Sequence, residues 1–173
     1  LNSYNYQLAW NYLKIAQKIT DKVPGLNKEK IRINAKLNHL SWILGRDVMP
    51  LEEAERFAKE LENAGLKTDA AIHYDMLFNR ALSAQKLERA EKCLNKAMSF
   101  IKKPEGFYWT LMAERLLLLR RKGLLNEAVA AAKRLASRIH THQAPVAFYK
   151  ALNSIGMVAI LRGNYPSAHK SIS

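Results

Sequence analysis

The sequence predicts an all-α chain folded as a superhelical stack of antiparallel helix hairpins, an α-solenoid. Three observations carry that reading. First, 49% of the 173 residues are hydrophobic while glycine and proline number only 7 and 5, and no strand-like alternation bounded by turn residues recurs. Second, one alanine setting appears five times: a large apolar residue stands three positions before the alanine, and apolar residues stand four and seven positions after it. Third, each of the later four copies follows another helical pattern and a turn, which is the order helix, reversal, helix. Offsets of three and four put the recurring residues on one helical face, and a small residue there lets a neighbouring helix approach closely.

The elements follow in order. Residues 1–22 hold a partial hairpin, with Tyr6, Ala9, Leu13 and Ala16 on one face. The hairpin over 29–65 opens with a helical pattern at 31–44, turns through Gly45, Asp47 and Pro50, and returns on Leu51, Ala54, Ala58 and Leu61. A break at 65–69 precedes the hairpin 69–103, with a first helix at 70–84, which Asp69 is placed to cap, and a second marked by Leu87, Ala90, Leu94 and Ala97. After Pro104, Glu105 and Gly106, the hairpin 106–140 runs through 108–121, reverses at Gly123 and returns on Leu125, Ala128, Ala132 and Leu135. The last, 145–173, has Pro145 in a first helical turn, a first helix at 146–161, a reversal at Gly163 and Asn164, and a truncated return on Tyr165, Ala168 and Ile172. The anchor alanines lie 45, 36, 38 and 40 residues apart. Three to four complete repeats thus make a single domain, 1–173. Because the chain opens at Leu1 with no signal-peptide pattern, it reads as a fragment of a larger protein. Neither end shows a polar capping helix, so flanking repeats, or pairing of two copies through the open ends, are further expectations.

Leu152, Ile155, Gly156, Ala159, Gly163, Tyr165 and Ala168 resemble the tetratricopeptide pattern of large residue, Leu-Gly, Tyr, Gly, Tyr, Ala. Gly123, Leu125 and Ala128 repeat its second half, and Tyr74, Leu77, Leu87, Ala90, Leu94 and Ala97 form a weaker copy. The repeat exceeds the standard 34 residues, and Trp42 and Phe78 stand where a small residue is usual, which predicts longer and more openly packed helices. The chain is similar to the long-repeat branch of the family found in bacterial regulators. That resemblance implies a scaffold that grips a peptide or protein on a surface lined by first helices, within a signalling protein such as one carrying a response-regulator domain.

Charge narrows the partner. The chain carries +13, with 28 basic residues against 15 acidic. Residues 106–173 hold 10 bases and 2 acids, so the last third alone is +8. Such an excess steers acidic or phosphorylated partners. Groove-facing positions on the first helices are predicted to be Lys36, His39, Asn79, Arg120, Lys150 and Asn153, with Asp75 as an acidic neighbour. Asn79 matches one position of the family's carboxylate-gripping arrangement and Asn153 falls beside another, too little to support a carboxylate clamp.

Other groups read more plainly. Arg120, Arg121 and Lys122 at a helix end answer the helix dipole. Lys133, Arg134 and Arg138 form an outer basic face. Tyr4, Tyr6, Trp10 and Tyr12, like Phe107, Tyr108 and Trp109, read as packing, with partner anchoring by Trp10 and Trp109 as the alternative. His140 and His142 stand two apart and cannot share a helical face, so no metal site is expected. Cys93 reads as a buried thiol. No phosphate-cradling loop, nucleophile elbow or metalloprotease helix is present, so no catalytic residue and no cofactor are assigned. No apolar run approaches membrane-spanning length. One cysteine excludes an internal disulfide and points to the cytoplasm. The alternatives to a peptide-binding scaffold are nucleic-acid binding by the basic C-terminal third and a structural spacer inside an enzyme.

Overall fold

A computed structural model describes residues 3–46, 49–102, 106–139 and 144–172. The described residues form nine α-helices: α1 (Ser3–Thr20), α2 (Asn27–Ile43), α3 (Leu51–Asn63), α4 (Lys67–Ser83), α5 (Leu87–Phe100), α6 (Phe107–Arg121), α7 (Leu125–Arg138), α8 (Pro145–Leu161) and α9 (Tyr165–Ile172). Within the chain order, α2 packs on α3, α6 on α7 and α8 on α9. Asp47, Pro104, Glu105, His140 and His142 lie outside the described residues.

The anchor alanines sit where the spacing places them. Ala54, Ala90 and Ala128 are fully buried and Ala168 nearly so, while Ala9 is half-buried. Their helical neighbours Ala58, Leu61, Leu94, Ala97, Ala132 and Leu135 are buried with them. Each such leucine contributes about 1.5–3 kcal/mol relative to an exposed one, so the second helices supply a large part of the core. Phe78 is fully buried and Trp42 half-buried, so the two bulky departures are accommodated inside the packing.

The reversals share one device. At the end of α6, Gly123 has φ +75°, its N–H donates to Arg120 O (3.0 Å), and Leu124 N–H donates to Leu119 O (3.0 Å). The left-handed residue thereby satisfies carbonyls that the helix leaves unpaired. At the equivalent point after α4 the same bonds form around Gln85, which adopts φ +57° although it carries a side chain.

Asp69 does not cap α4. The helix begins two residues earlier, so the carboxylate lies in its first turn, where it faces the positive end of the dipole and accepts from Arg32 Nε of α2 at 3.2 Å. Pro145 does occupy the first position of α8, and Asn164 Oδ1 accepts from Ser167 N–H (3.2 Å) in the first turn of α9.

The chain forms two compact units, Leu1–Arg80 and Ala81–Ser173. In the first, α1 packs on α2 and α2 on α3. Here α4 is joined to α3 through His73 Nε2 against Ala54 O (3.1 Å) and Tyr74 O–H donating to Glu62 (2.5 Å). In the second, α6 packs on α5, α7 and α8, and α8 packs on α7 and α9. Serial contact of this kind makes stability a property of nearest-neighbour hairpins.

Candidate functional site

In the first unit, α1, α2 and α4 enclose a cavity of about 400 Å³. Its walls are Lys36, His39 and Leu40 on α2 and Asp69, Ile72 and His73 on α4, each set spaced by three and one residues along one helical face. The residues from α4 belong to its N-terminal half and those from α2 to its C-terminal half, so the two helices contribute different parts of their length to the wall. Ala9 and Leu13 of α1 complete an apolar lining.

The cavity is uncharged within and charged at its edge. Burial drives the His73 pKa from 6.5 to about 4, helped by the charges of His39 and Arg80 and opposed by the hydrogen bond to the Ala54 carbonyl. Burial also lowers that of His39. Both imidazoles are therefore neutral at pH 7. A carbonyl only accepts, so His73 Nε2 carries the proton. Lys36 is exposed and makes no ion pair among the described residues, whereas Asp69 is already engaged by Arg32. The net signal at the edge is positive.

The second unit holds a different arrangement. Arg120 Nη1 of α6 lies 3.5 Å from Ser154 Oγ of α8, and Lys150 Nζ of α8 is paired with the Glu114 carboxylate of α6. Glu114 and Ser154 are buried, 5% and 4% exposed, so these two cations are committed to joining successive first helices. Burial, with Arg121 second, lowers the Arg120 pKa. Asn153 is exposed on α8, and Asn79 donates to the Asp75 carbonyl of its own helix (3.0 Å). The structure thus gathers Lys36 and His39 at one cavity and Arg120 and Lys150 at one helix pair, and places Asn79 at neither.

Sequence reasoning missed Asp69, Ile72 and His73 as site residues, because only the approach of α4 to α2 brings them to Lys36 and His39. The buried partners Glu114 and Ser154 gave none, because which helices face each other decides their role. Neither tryptophan projects freely. Trp10 is half-buried, donates from Nε1 to Ser41 Oγ (3.3 Å) and lies under Lys14 and Arg46 at 5.4 and 5.5 Å. Trp109 packs on the cluster of Ala113, Leu116, Leu135 and Ala147. Cys93 is buried, and Lys122 pairs with Glu91 (2.5 Å). Among the described residues, no group of three or more His, Cys, Asp or Glu side chains is placed to hold a metal ion.

Comparison with known proteins bears on the fold. No protein-family model matches the sequence, and no curated protein matches it. Solved structures do. The crystal structure of BtubC (BKLC) from P. vanneervenii is 16% identical, with a TM-score of 0.71 over 97% of this chain and 70% of that one. Two structures of a Podosopora anserina kinesin light chain with nearly identical TPR-like repeats are each 11% identical. Their TM-scores are 0.65 and 0.63 over 98% of this chain, covering 85% and 86% of theirs. No helix among the described residues is long and apolar enough to cross a membrane. The chain shares the all-α helical-repeat fold of these TPR-like structures.

Proposed function

We propose that the chain is a protein-interaction scaffold that takes a peptide or protein segment on its first helices, with the cavity beside Lys36 and His39 receiving an apolar side chain. The observation that carries this is the cavity itself: a largely apolar lining from α1, α2 and α4, with one unengaged cation at its edge. An apolar side chain would gain burial there, and an adjacent carboxylate would meet Lys36. Asn153 adds an exposed amide, whereas Arg120 and Lys150 act through the helix pair they join.

The likeness to TPR-like repeat proteins supports a binding scaffold rather than a catalyst. The finer parts of the reading are an acidic partner, a place in bacterial signal transduction and a cytoplasmic setting, and they rest on the +13 charge and the repeat resemblance. Pairing of two copies belongs to the same reading. Leu8, Tyr12, Ile15 and Ile19 form an exposed apolar stripe on α1, and Val146, Tyr149, Leu161 and Tyr165 are exposed on α8 and α9.

Selection of displayed random peptides tests the proposal. The wild-type chain should enrich sequences with a large apolar residue beside an acidic one, and Lys36→Glu should weaken those peptides about tenfold. Enriched peptides indifferent to both Lys36→Glu and Ile72→Gln would remove the cavity from the account.

A further inference from the structure

The α6/α7 hairpin carries a second recess that the first-helix reading does not use. It has a volume of about 640 Å³, and among the described residues these two helices supply its walls. Tyr108, Met112, Arg115 and Leu119 line one side at offsets of four, three and four, which spans about three turns, or roughly 16 Å, of α6. From α7 come Ala130, Ala131 and Leu135 as floor, with Arg134 and Arg138 at the rim.

Its charge is unbalanced. Arg115, Arg134 and Arg138 are exposed, and none makes an ion pair or side-chain hydrogen bond among the described residues. Glu127 is the lone acid of the lining and is likewise unpaired there. By contrast, Lys122, Lys150 and Arg162 of the same unit are each tied to a partner on another helix. Three guanidinium groups are thus left around an apolar floor. An arginine in this situation is suited to a carboxylate, which it can meet with two parallel hydrogen bonds.

We infer that the α6/α7 cleft binds a short acidic peptide segment, its apolar side chains on the Met112, Leu119 and Ala131 floor and its carboxylates on Arg115, Arg134 and Arg138. The volume holds several side chains rather than a single small one. A nucleic-acid strand fits the same charge less well. Base stacking needs an open aromatic face, whereas the two aromatic rings of the lining, Tyr108 and Trp109, meet edge-on with centroids 5.2 Å apart at 78°, and Trp109 also packs on the core cluster. The cleft lies on other residues than the cavity beside Lys36, so it stands or falls independently of the proposed function.

Fluorescence anisotropy on the full chain decides the matter with three labelled probes: an acidic peptide with leucines at helical spacing, the same peptide with lysine for every glutamate, and an oligothymidylate strand. The acidic peptide should bind, and Arg134→Glu or Arg138→Glu should weaken it about tenfold or more. All these titrations use a Lys36→Glu background, which silences the cavity of the proposed function; Lys133→Glu, the same charge change on the same helix outside the lining, should there cost no more than about twofold. Circular dichroism confirms that the exposed substitutions leave the helices intact. Absence of acidic-peptide binding, equal losses for Lys133→Glu and Arg134→Glu, or tighter binding of the oligothymidylate strand would each overturn the inference.

Discussion

Replacing Lys150 by methionine keeps the length of the side chain and removes its charge, leaving the Glu114 carboxylate of α6 without its partner. Glu114 is 7% exposed in its side chain and Lys150 43%. Breaking a fully buried pair by deleting one member costs about 3–5 kcal/mol, and an exposed pair is worth under about 1 kcal/mol. The half-exposed ammonium places this case between them, at about 2 kcal/mol. For a chain of this size that corresponds to a fall in melting temperature of about 4–8 °C. Urea unfolding followed by helical circular dichroism measures it directly. The double variant Glu114→Gln with Lys150→Met should recover part of the loss, giving a coupling of at least about 1 kcal/mol in the cycle. If Lys150→Met stays within about 0.5 kcal/mol of wild type, or the two changes simply add, the pair does not join α6 to α8. Lys150 would then be a free surface cation.

Two further outcomes follow from particular residues. His73 is held neutral, with a pKa of about 4 against the ordinary 6.5, so the unfolded chain binds the extra proton between those values. Stability is complete above about pH 6.5 and declines as pH falls toward 4, by about 2 kcal/mol between pH 7 and pH 5. His73→Gln should flatten that slope in urea titrations at the two pH values, and parallel slopes would contradict the assignment. Gln85→Gly relieves a left-handed conformation at φ +57° and should stabilise the chain by about 0.5–1 kcal/mol after the entropy glycine loses on folding. A lower denaturation midpoint would show that the Gln85 side chain offsets its own strain.

The hairpins were legible in the sequence because their signal is local. A small residue at fixed offsets from large ones marks a close crossing wherever it occurs, so Ala54, Ala90 and Ala128 could be placed in the core without knowing their neighbours. Helix limits were legible to within a few residues for the same reason. What lay outside the sequence was the register between helices. Arg120 and Lys150 look alike as groove cations, yet Ser154 and Glu114 hold them, and those partners are 34 and 36 residues away. Lys36 differs only because Arg32 has already taken the nearby Asp69. Gln85 shows the opposite case. The turn after α4 needs a left-handed residue, and the absence of glycine hid a reversal that the backbone still makes.

The close-crossing role of the recurring alanine is most directly tested within one helix, by comparing the urea unfolding of Ala128→Leu with that of Ala130→Leu. Ala128 is fully buried and Ala130 exposed on α7. Overfilling the buried position should cost about 1–3 kcal/mol while the exposed one stays near wild type. Equal effects at the two positions would contradict the stacking of hairpins through these residues.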